Sequence, residues 1–232
     1  MTAAVQVTGL FTGAVRDRWQ GRPPSAIEKV AARGALRLTP TGFEGDVQAD
    51  LWVHGGREKA VHHYPADHYM AWAAELGPND RFVAGGFGEN VSTEGLLETE
   101  VCIGDVFTLG AARVQVSQGR QPCWKLSAHT GLERMAYLVQ ATARTGWYYR
   151  VLEPGVVEAG DLLHLLDRPQ PDWSVDRVTR ARFDRSLGSD LARHLANLME
   201  LNEGWREAFR RRAAGARENA SVRLEAPSGP PG

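Results

Sequence analysis

Short runs of alternating apolar and polar residues recur along the first 167 residues, and glycine-rich turns separate them. Residues 2–15 contain the first run, VCIGDVFTLG at 101–110 contains two short ones, and WYYRVL at 147–152 is rich in strand formers. Alternation places successive side chains on opposite faces of a strand. Because no strand–helix–strand rhythm is present, these many short strands favour a closed or nearly closed β-barrel.

Two helical stretches interrupt the predicted strands. Residues 66–76 carry aromatic side chains at helical spacing and end at Gly77. Thr130 and Glu133 have the spacing of a capping box, which predicts a second helix that runs to about residue 144. The predicted class is therefore mainly β with some α.

The last third of the chain changes character. Residues 168–172 are proline-rich and read as a linker after a barrel domain at 1–167. Three short helices are predicted at 173–183, 189–201 and 203–212, within a small helical domain at 173–214, with Asn202 as the cap of the third. Residues 215–232 have the composition of a disordered tail.

Composition excludes several classes of protein. The net charge is −1, which gives no general attraction to nucleic acid or to an anionic membrane, and no apolar run approaches a membrane span. Two cysteines do not make a disulfide framework, so we expect a cytoplasmic protein. Only three of the 27 basic residues are lysines, and these mark positions where a compact ammonium is needed: Lys29, Lys59 and Lys125.

Cys123 differs from the other cysteine in its surroundings. It follows a proline at the end of a predicted strand, between Arg120 and Lys125, and two cations favour the thiolate that attacks electrophiles or binds metals. Cys102 lies in an apolar strand and reads as a core residue. The pattern predicts a nucleophile or a metal ligand at Cys123 and leaves both open.

Four histidines lie close together, at positions 54, 62, 63 and 68, but their spacing fits no zinc pattern. His54 and His62 are the better candidates for an imidazole that binds a substrate or cofactor. The glycine turns HGGREKA and AGGFGEN allow backbone N–H groups to converge on an anion. Together with the lysines and Arg120, they predict a pocket for a phosphate-bearing ligand, in which Asn90 and Glu89 are placed to bind the edges of a heterocycle.

Several motifs in order resemble one known family. GDVQADLWVHGGREKAVHHYP, GGFGENVSTEGLLETEVCIGD, SQGRQPCWKL and TGWYYRVLEPG are similar to the MOSC domain, named for the C-termini of molybdenum-cofactor sulfurases. The similarity is greatest to its YiiM-like branch, which appends a three-helix domain, and it covers about residues 3–212. The resemblance implies a β-barrel of the pyruvate-kinase insert type that binds a molybdenum cofactor.

The resemblance also implies roles for individual residues. Cys123 would ligate molybdenum through its thiolate, a soft donor that suits this metal. The remaining candidates would hold the pterin phosphate and dithiolene or line the pocket: Lys29, Lys59, Arg120, Lys125, His54, His62, Asn90 and Gln118. Two positions depart from the family pattern, since Val-Ala follows Lys29 where Pro-Val is expected and Gly119 stands where proline is common.

The leading functional hypothesis is a molybdenum-dependent reductase of N-hydroxylated compounds such as hydroxylaminopurine-type bases, with His54 or His62 as a proton source. Two cysteines cannot hold a four-cysteine iron–sulfur cluster, and no nicotinamide or flavin fingerprint is present, so electrons are expected from a separate redox protein. The three-helix domain is expected to dock that protein or a second copy of the chain as a homodimer, or simply to cover the barrel.

Two other functions stay open at this point. The chain would serve as a non-catalytic carrier of the cofactor or of sulfur, although it has no room for the PLP-binding domain of a full sulfurase. A cysteine-nucleophile hydrolase is the third hypothesis, and it lacks a definable His–Asp partner order.

Overall fold

The structure is a computed structural model that describes residues 4–49, 55–216 and 218–225. The strands are β1 (Val5–Gly13), β2 (Lys29–Ala31), β3 (Leu36–Thr39), β4 (Gly42–Phe43), β5 (Val61–Pro65), β6 (Val91–Thr93), β7 (Val106–Leu109), β8 (Ala112–Gly119), β9 (Trp147–Glu153), β10 (Gly155–Val157) and β11 (Leu162–Asp167). Seven of them pair in the order β11-β7-β8-β9-β5-β6-β1, and β1 pairs back onto β11. The predicted closed barrel is confirmed.

The barrel is antiparallel except where β5 runs parallel to β6. Strand β2 extends the sheet beside the far end of β1, and β3, β4 and β10 form a separate small sheet. A bulge interrupts the pairing of β8 with β9 between Val116 and Gln118. Bulges bend a strand and change the direction of the chain after it, and here the chain leaves β8 towards Cys123.

The helices between the strands differ from the prediction. Helix α1 (Asp67–Leu76) is found within one residue of the predicted start. The sequence does not predict α2 (Trp124–Thr130), and the helix predicted from Thr130 to about residue 144 begins later, as α3 (Met135–Thr142). The Thr130 hydroxyl donates to the Leu126 carbonyl at 2.9 Å, so it closes the end of α2 and does not cap α3.

Helices α4 (Val175–Phe183), α5 (Ser189–Ala196) and α6 (Glu203–Ala213) come after the barrel, and α5 ends five residues before its predicted end. The predicted cap of α6 is confirmed, since the Asn202 side chain accepts a hydrogen bond from the Trp205 N–H at 3.2 Å. One continuous apolar cluster contains barrel residues such as Val116 together with Trp205 and Phe209. The three helices therefore cover the barrel wall and share its core.

Beyond α6 the structure describes residues 218–225, which lie in the part of the chain with the composition of a disordered tail. They include a single helical turn, α7 (Ser221–Leu224). Leu224 packs against a second apolar cluster that contains Leu126 and Met135. One leucine and one arginine thus contact the body of the protein, and the predicted disorder of residues 215–232 stays a prediction.

None of the helices in residues 4–49, 55–216 and 218–225 has both the length and the apolar character needed to cross a membrane.

Helix α4 lies against the end of β8 at Gly119. A Cβ atom on Gly119 would collide with Oγ1 of Thr179 and lie 3.3 Å from the ring of Trp205. The absence of a side chain at position 119 is therefore what lets α4 approach the strand that leads to Cys123. A proline at this position, which the family pattern favours, also has a Cβ atom and would meet the same collision.

We expect Gly119→Ala to lower the free energy of unfolding by about 2 kcal/mol, because it overpacks this contact. Thr179→Ala should change the unfolding free energy by less than about 1 kcal/mol, since the buried Thr179 hydroxyl has no hydrogen-bond partner among the described residues. In the Thr179→Ala background the cost of Gly119→Ala should fall to under about 1 kcal/mol. Urea unfolding of the native protein, the two single variants and the double variant measures this double-mutant cycle. If the two substitutions have purely additive effects on the free energy of unfolding, the proposed contact between Gly119 and Thr179 is contradicted.

Candidate functional site

A pocket opens at the end of the barrel where β2, β5 and the segment after β8 meet. Its lining includes seven of the residues predicted from the sequence: Lys29, Lys59, His62, Asn90, Arg120, Cys123 and Lys125. These residues are up to 96 positions apart in the chain, so only the closure of the barrel brings them together. Two predicted residues are not placed in this lining. Gln118 lies outside it, and His54 lies outside the described residues.

Cys123 is the last residue before α2 and has an extended backbone conformation. Its carbonyl accepts the first helical hydrogen bond, from the Leu126 N–H at 2.9 Å. The side chain of Trp124 leaves the pocket and packs edge-on against Trp19 at 5.3 Å, with the Arg22 guanidinium 5.4 Å from its ring. These contacts hold the start of α2 while the Cys123 side chain lines the pocket.

Asp46 is a central pocket residue that the sequence did not single out. It forms an ion pair with Lys29, and the side chains of Lys29 and Asp46 are only 6% and 2% exposed. Its carboxylate also accepts hydrogen bonds from the Gly13 N–H at 2.7 Å and from the Asn90 amide at 2.8 Å. Burial lowers the pKa of Lys29, and the Asp46 carboxylate opposes that shift. Lys29 therefore contributes a hydrogen-bond donor whose charge is largely balanced by Asp46.

Asn90 supports the pocket wall through its own side chain. Its amide oxygen accepts from the His62 N–H at 3.1 Å, and its amide nitrogen donates to Asp46 and to the Phe11 carbonyl at 3.2 Å. These three bonds occupy one acceptor position of the Asn90 amide oxygen and both N–H groups of its amide nitrogen. The predicted role in binding a heterocycle is thus less suited to Asn90 than a role in holding Asp46 in place.

The turn AGGFGEN is organised by Glu89, which is fully buried. Its carboxylate accepts from the Tyr69 hydroxyl at 2.6 Å, the Gly85 N–H at 2.6 Å and the Phe87 N–H at 3.0 Å. Burial raises the pKa of Glu89, and these hydrogen bonds oppose the shift. The backbone N–H groups of this turn therefore converge on a carboxylate of the protein itself, whereas the sequence suggested an external anion.

Arg120 is held by the same turn. Its guanidinium donates to the Phe87 carbonyl at 2.7 Å, and the side chain is buried where it lines the pocket. Lys125, from the first turn of α2, donates to the Pro24 carbonyl at 3.0 Å. Both cations are thus oriented by backbone carbonyls, which are neutral partners, so their positive charge is not cancelled by these contacts.

His62 is fully enclosed, and its ring lies 5.0 Å from that of Tyr148, a second pocket residue that the sequence did not single out. Its Nε2–H donates to the Thr145 carbonyl at 3.3 Å. Burial lowers the pKa of His62 well below its usual value, and Arg120 adds to the shift. The imidazole is therefore neutral near pH 7, which suits hydrogen bonding better than donation of a proton from an imidazolium.

Three other residues considered from the sequence have structural partners elsewhere. His63 bonds to Thr93 at 2.8 Å and Tyr149 at 3.0 Å, and burial lowers its pKa to about 3. His68 pairs with Glu98 at 2.8 Å. The buried amide of Gln118 donates to the Gly119 carbonyl at 3.0 Å.

Cys102 is buried away from this pocket and bridges to Ser174, which precedes α4. Its thiol lies 3.5 Å from the Pro171 carbonyl, and burial raises its pKa. The position of Cys102 agrees with the prediction that it is a core residue, and the role of Cys123 as a nucleophile or a metal ligand stays a prediction.

The missed residues gave weak signals in the sequence. Asp46 lies in the turn-rich segment TPTGFEGD, where an aspartate is typical of a turn. Tyr148 lies in a strand next to two other aromatic residues, and only the register of β9 against His62 and Gln118 decides which of the three faces the pocket. Their role depends on pairing that no local pattern reveals.

The donor set of the pocket fits an anionic cofactor with a thiophilic metal. Cys123 is a soft sulfur donor, and Lys59, Arg120 and Lys125 are cationic donors in the same lining, with Lys29 balanced by Asp46.

The sequence profile of the MOSC domain matches residues 50–164. Protein YiiM of Escherichia coli (strain K12) is 41% identical over 217 residues, which are 93% of this chain and 96% of YiiM. The chain belongs to the MOSC domain family. A crystal structure of YiiM from E. coli superposes on this chain with a TM-score of 0.80 and 35% sequence identity. The superposition covers 95% of this chain and 98% of the YiiM chain. The match over both lengths makes this a YiiM-like MOSC protein.

MOSC domains are associated with binding of the molybdenum cofactor. A protein of Gibberella moniliformis (strain M3125 / FGSC 7600) named Reductase is 42% identical over 167 residues, which are 70% of the present MOSC chain and 30% of that protein. The family and this relative point to a function related to the molybdenum cofactor and to oxidoreductase activity.

We expect Asp46→Asn to destabilise the MOSC protein by about 3 kcal/mol, because it leaves the buried ammonium of Lys29 without its charged partner. Glu44→Gln is a matched control two residues away, since Glu44 and Arg37 form an ion pair in which both side chains are 62% exposed. That control should cost less than about 0.5 kcal/mol. Urea unfolding measures both, and equal costs would show that the Lys29–Asp46 pair does not support the pocket wall.

Proposed function

We propose that this MOSC protein binds the molybdenum cofactor in the pocket around Cys123 and reduces N-hydroxylated compounds such as hydroxylaminopurine-type bases. The observation that carries the proposal is the presence of one thiol and several oriented cations in a single pocket of a MOSC barrel. A thiolate is the donor that suits a thiophilic metal, and the cations suit the phosphate and dithiolene of the pterin.

Each pocket residue would have a distinct role. Cys123 would ligate molybdenum, while Lys59, Arg120 and Lys125 would hold the anionic parts of the pterin. Lys29 would donate a hydrogen bond within the pocket without adding a net charge, because Asp46 balances it. When bound, the cofactor would supply two electrons for cleavage of an N–O bond to give amine and water.

His62 would orient the ligand. Burial and Arg120 keep its imidazole neutral, and its Nε2–H is engaged by Thr145. Its remaining nitrogen can accept a hydrogen bond but cannot release a proton. We therefore propose that the protons consumed in the reaction come from solvent at the open side of the pocket.

A separate redox protein would deliver the electrons. The fungal relative named Reductase supports a reductive function, and the matched part is only 30% of its length. That relative thus has a large amount of chain beyond its MOSC-like part. In the present protein we assign electron supply to a partner, since the chain has too few cysteines for a four-cysteine cluster and no nicotinamide fingerprint.

The first test is the metal content of protein purified from a host that makes the cofactor. We expect molybdenum near one per chain, with release of a pterin on denaturation. Cys123→Ser should retain roughly a tenth of the metal or less, because it removes the thiolate ligand. The matched control is Cys102→Ser, at the buried core cysteine, and it should retain the native amount of molybdenum. Native protein without molybdenum, or a Cys123→Ser variant that keeps it, would refute the proposal.

The second test is turnover of 6-N-hydroxylaminopurine by the molybdenum-loaded protein with reduced methyl viologen as electron donor. We expect formation of adenine by the native protein and by Cys102→Ser, and loss of turnover in Cys123→Ser. A loaded protein that binds molybdenum normally but reduces neither this base nor simpler hydroxylamines would instead be a cofactor carrier. Hydrolytic activity of metal-free protein that a thiol alkylating agent abolishes would indicate a cysteine hydrolase.

A further inference from the structure

Residues 218–225, the last that the structure describes, lie against the loop that carries Cys123. Glu218 forms an ion pair with Arg182 of α4, whose side chain is only 10% exposed, and Leu224 packs against the apolar cluster around Leu126. Between these two anchors the single turn α7 brings Arg223 to the barrel side of the segment.

Arg223 contacts three separate parts of the protein. One terminal nitrogen donates to the Pro122 carbonyl, and the other donates to Oε1 of Gln140 in α3 at 2.6 Å. The guanidinium also lies 5.4 Å from the ring of Phe183 at the end of α4. Burial lowers the pKa of Arg223, while Glu218 opposes the shift, so the group is held in a desolvated position.

A guanidinium is a costly group to bury if its only task is to attach a tail. Leu224 already supplies an apolar anchor, and an aliphatic side chain at position 223 would pack against Phe183 without that cost. What the arginine adds is a charged donor aimed at one backbone carbonyl, and charge-assisted hydrogen bonds are the stronger kind.

The Pro122 carbonyl belongs to the peptide unit that contains the nitrogen of Cys123. Because a peptide unit is planar, a bond that holds this carbonyl also orients the backbone on which the Cys123 side chain is built. The other side of Cys123 is held by the first turn of α2. The backbone is therefore held on both sides of Cys123, by Arg223 before it and by α2 after it.

We propose that Arg223 is a positioning residue for Cys123, and that the C-terminal segment 218–225 is part of the functional site. The proposal rests on the proposed function only for its consequence, which is retention of the cofactor. The effect of Arg223 on the backbone of residues 120–123 can be measured in protein that contains no cofactor.

Three variants test it: Arg223→Met, which keeps the aliphatic stem and removes the donors; Arg223→Lys, which keeps a charged donor; and Val222→Ala, a control at a neighbouring side chain that is 82% exposed. The first readout is hydrogen–deuterium exchange of metal-free full-length protein. We expect exchange in peptides from 120–126 to rise roughly fivefold in Arg223→Met, because the charge-assisted hydrogen bond to the Pro122 carbonyl is lost. Arg223→Lys should restore most of the protection, and Val222→Ala should leave it unchanged.

The second readout is the amount of molybdenum per chain after purification from a cofactor-competent host. We expect a drop of roughly tenfold in Arg223→Met, as for loss of other groups that orient a metal ligand, and retention of most of the metal in Arg223→Lys. Equal behaviour of the Met and Lys variants, or a rise in exchange spread evenly over the barrel strands, would overturn the proposal. If native protein holds no molybdenum but the exchange result is obtained, the proposed function fails while the positioning of Cys123 stands.

Discussion

The buried ion pair between Lys29 and Asp46 is the interaction on which the pocket wall depends. Such a pair is tolerated only when the remaining hydrogen-bonding capacity of its partners is used, and Asp46 meets this condition through Gly13 and Asn90. Asn90 in turn holds the backbone of β5 at His62 and that of β1 at Phe11. One carboxylate thus joins segments that are far apart in the chain. It also decides the chemistry of Lys29, which enters the pocket as a donor with a balanced charge.

The remaining cations are oriented differently, and this difference shapes what the pocket can bind. Arg120 and Lys125 are held by the carbonyls of Phe87 and Pro24, and these neutral contacts do not cancel their charges. Glu89, which carries a negative charge when ionised, is directed into the AGGFGEN turn and not into the pocket. The pocket therefore combines a soft sulfur donor with net positive character, which is the combination that an anionic cofactor with a thiophilic metal requires.

The C-terminal third of this YiiM-like protein is joined to the site and is more than a covering for the barrel. Helix α4 approaches the strand before Cys123 because Gly119 has no side chain, and the Asn202 N–H bonds to the Ser117 carbonyl at the bulge of β8 at 2.8 Å. The segment after α6 then returns to the Pro122 carbonyl through Arg223. The geometry of the Cys123 loop is consequently set by elements on both sides of it in the sequence, as far as 101 residues away.

The sequence by itself determined the barrel class, most strand positions, the cap at Asn202 and the different surroundings of Cys123 and Cys102, because alternation, turn chemistry and local charge are properties of neighbouring residues. It also identified seven residues of the pocket lining, through motifs that resemble a known family. It did not predict α2 and it placed the start of α3 too early, since Thr130 suits a helix start as well as a helix end and only packing chooses between them. Tertiary structure alone decided that Asp46 balances Lys29, that Glu89 fills its own turn, that burial keeps His62 neutral and that Arg223 reaches Pro122. Each of these features depends on which residues, far apart in the sequence, are buried next to one another. The order of residues along the chain does not contain that information.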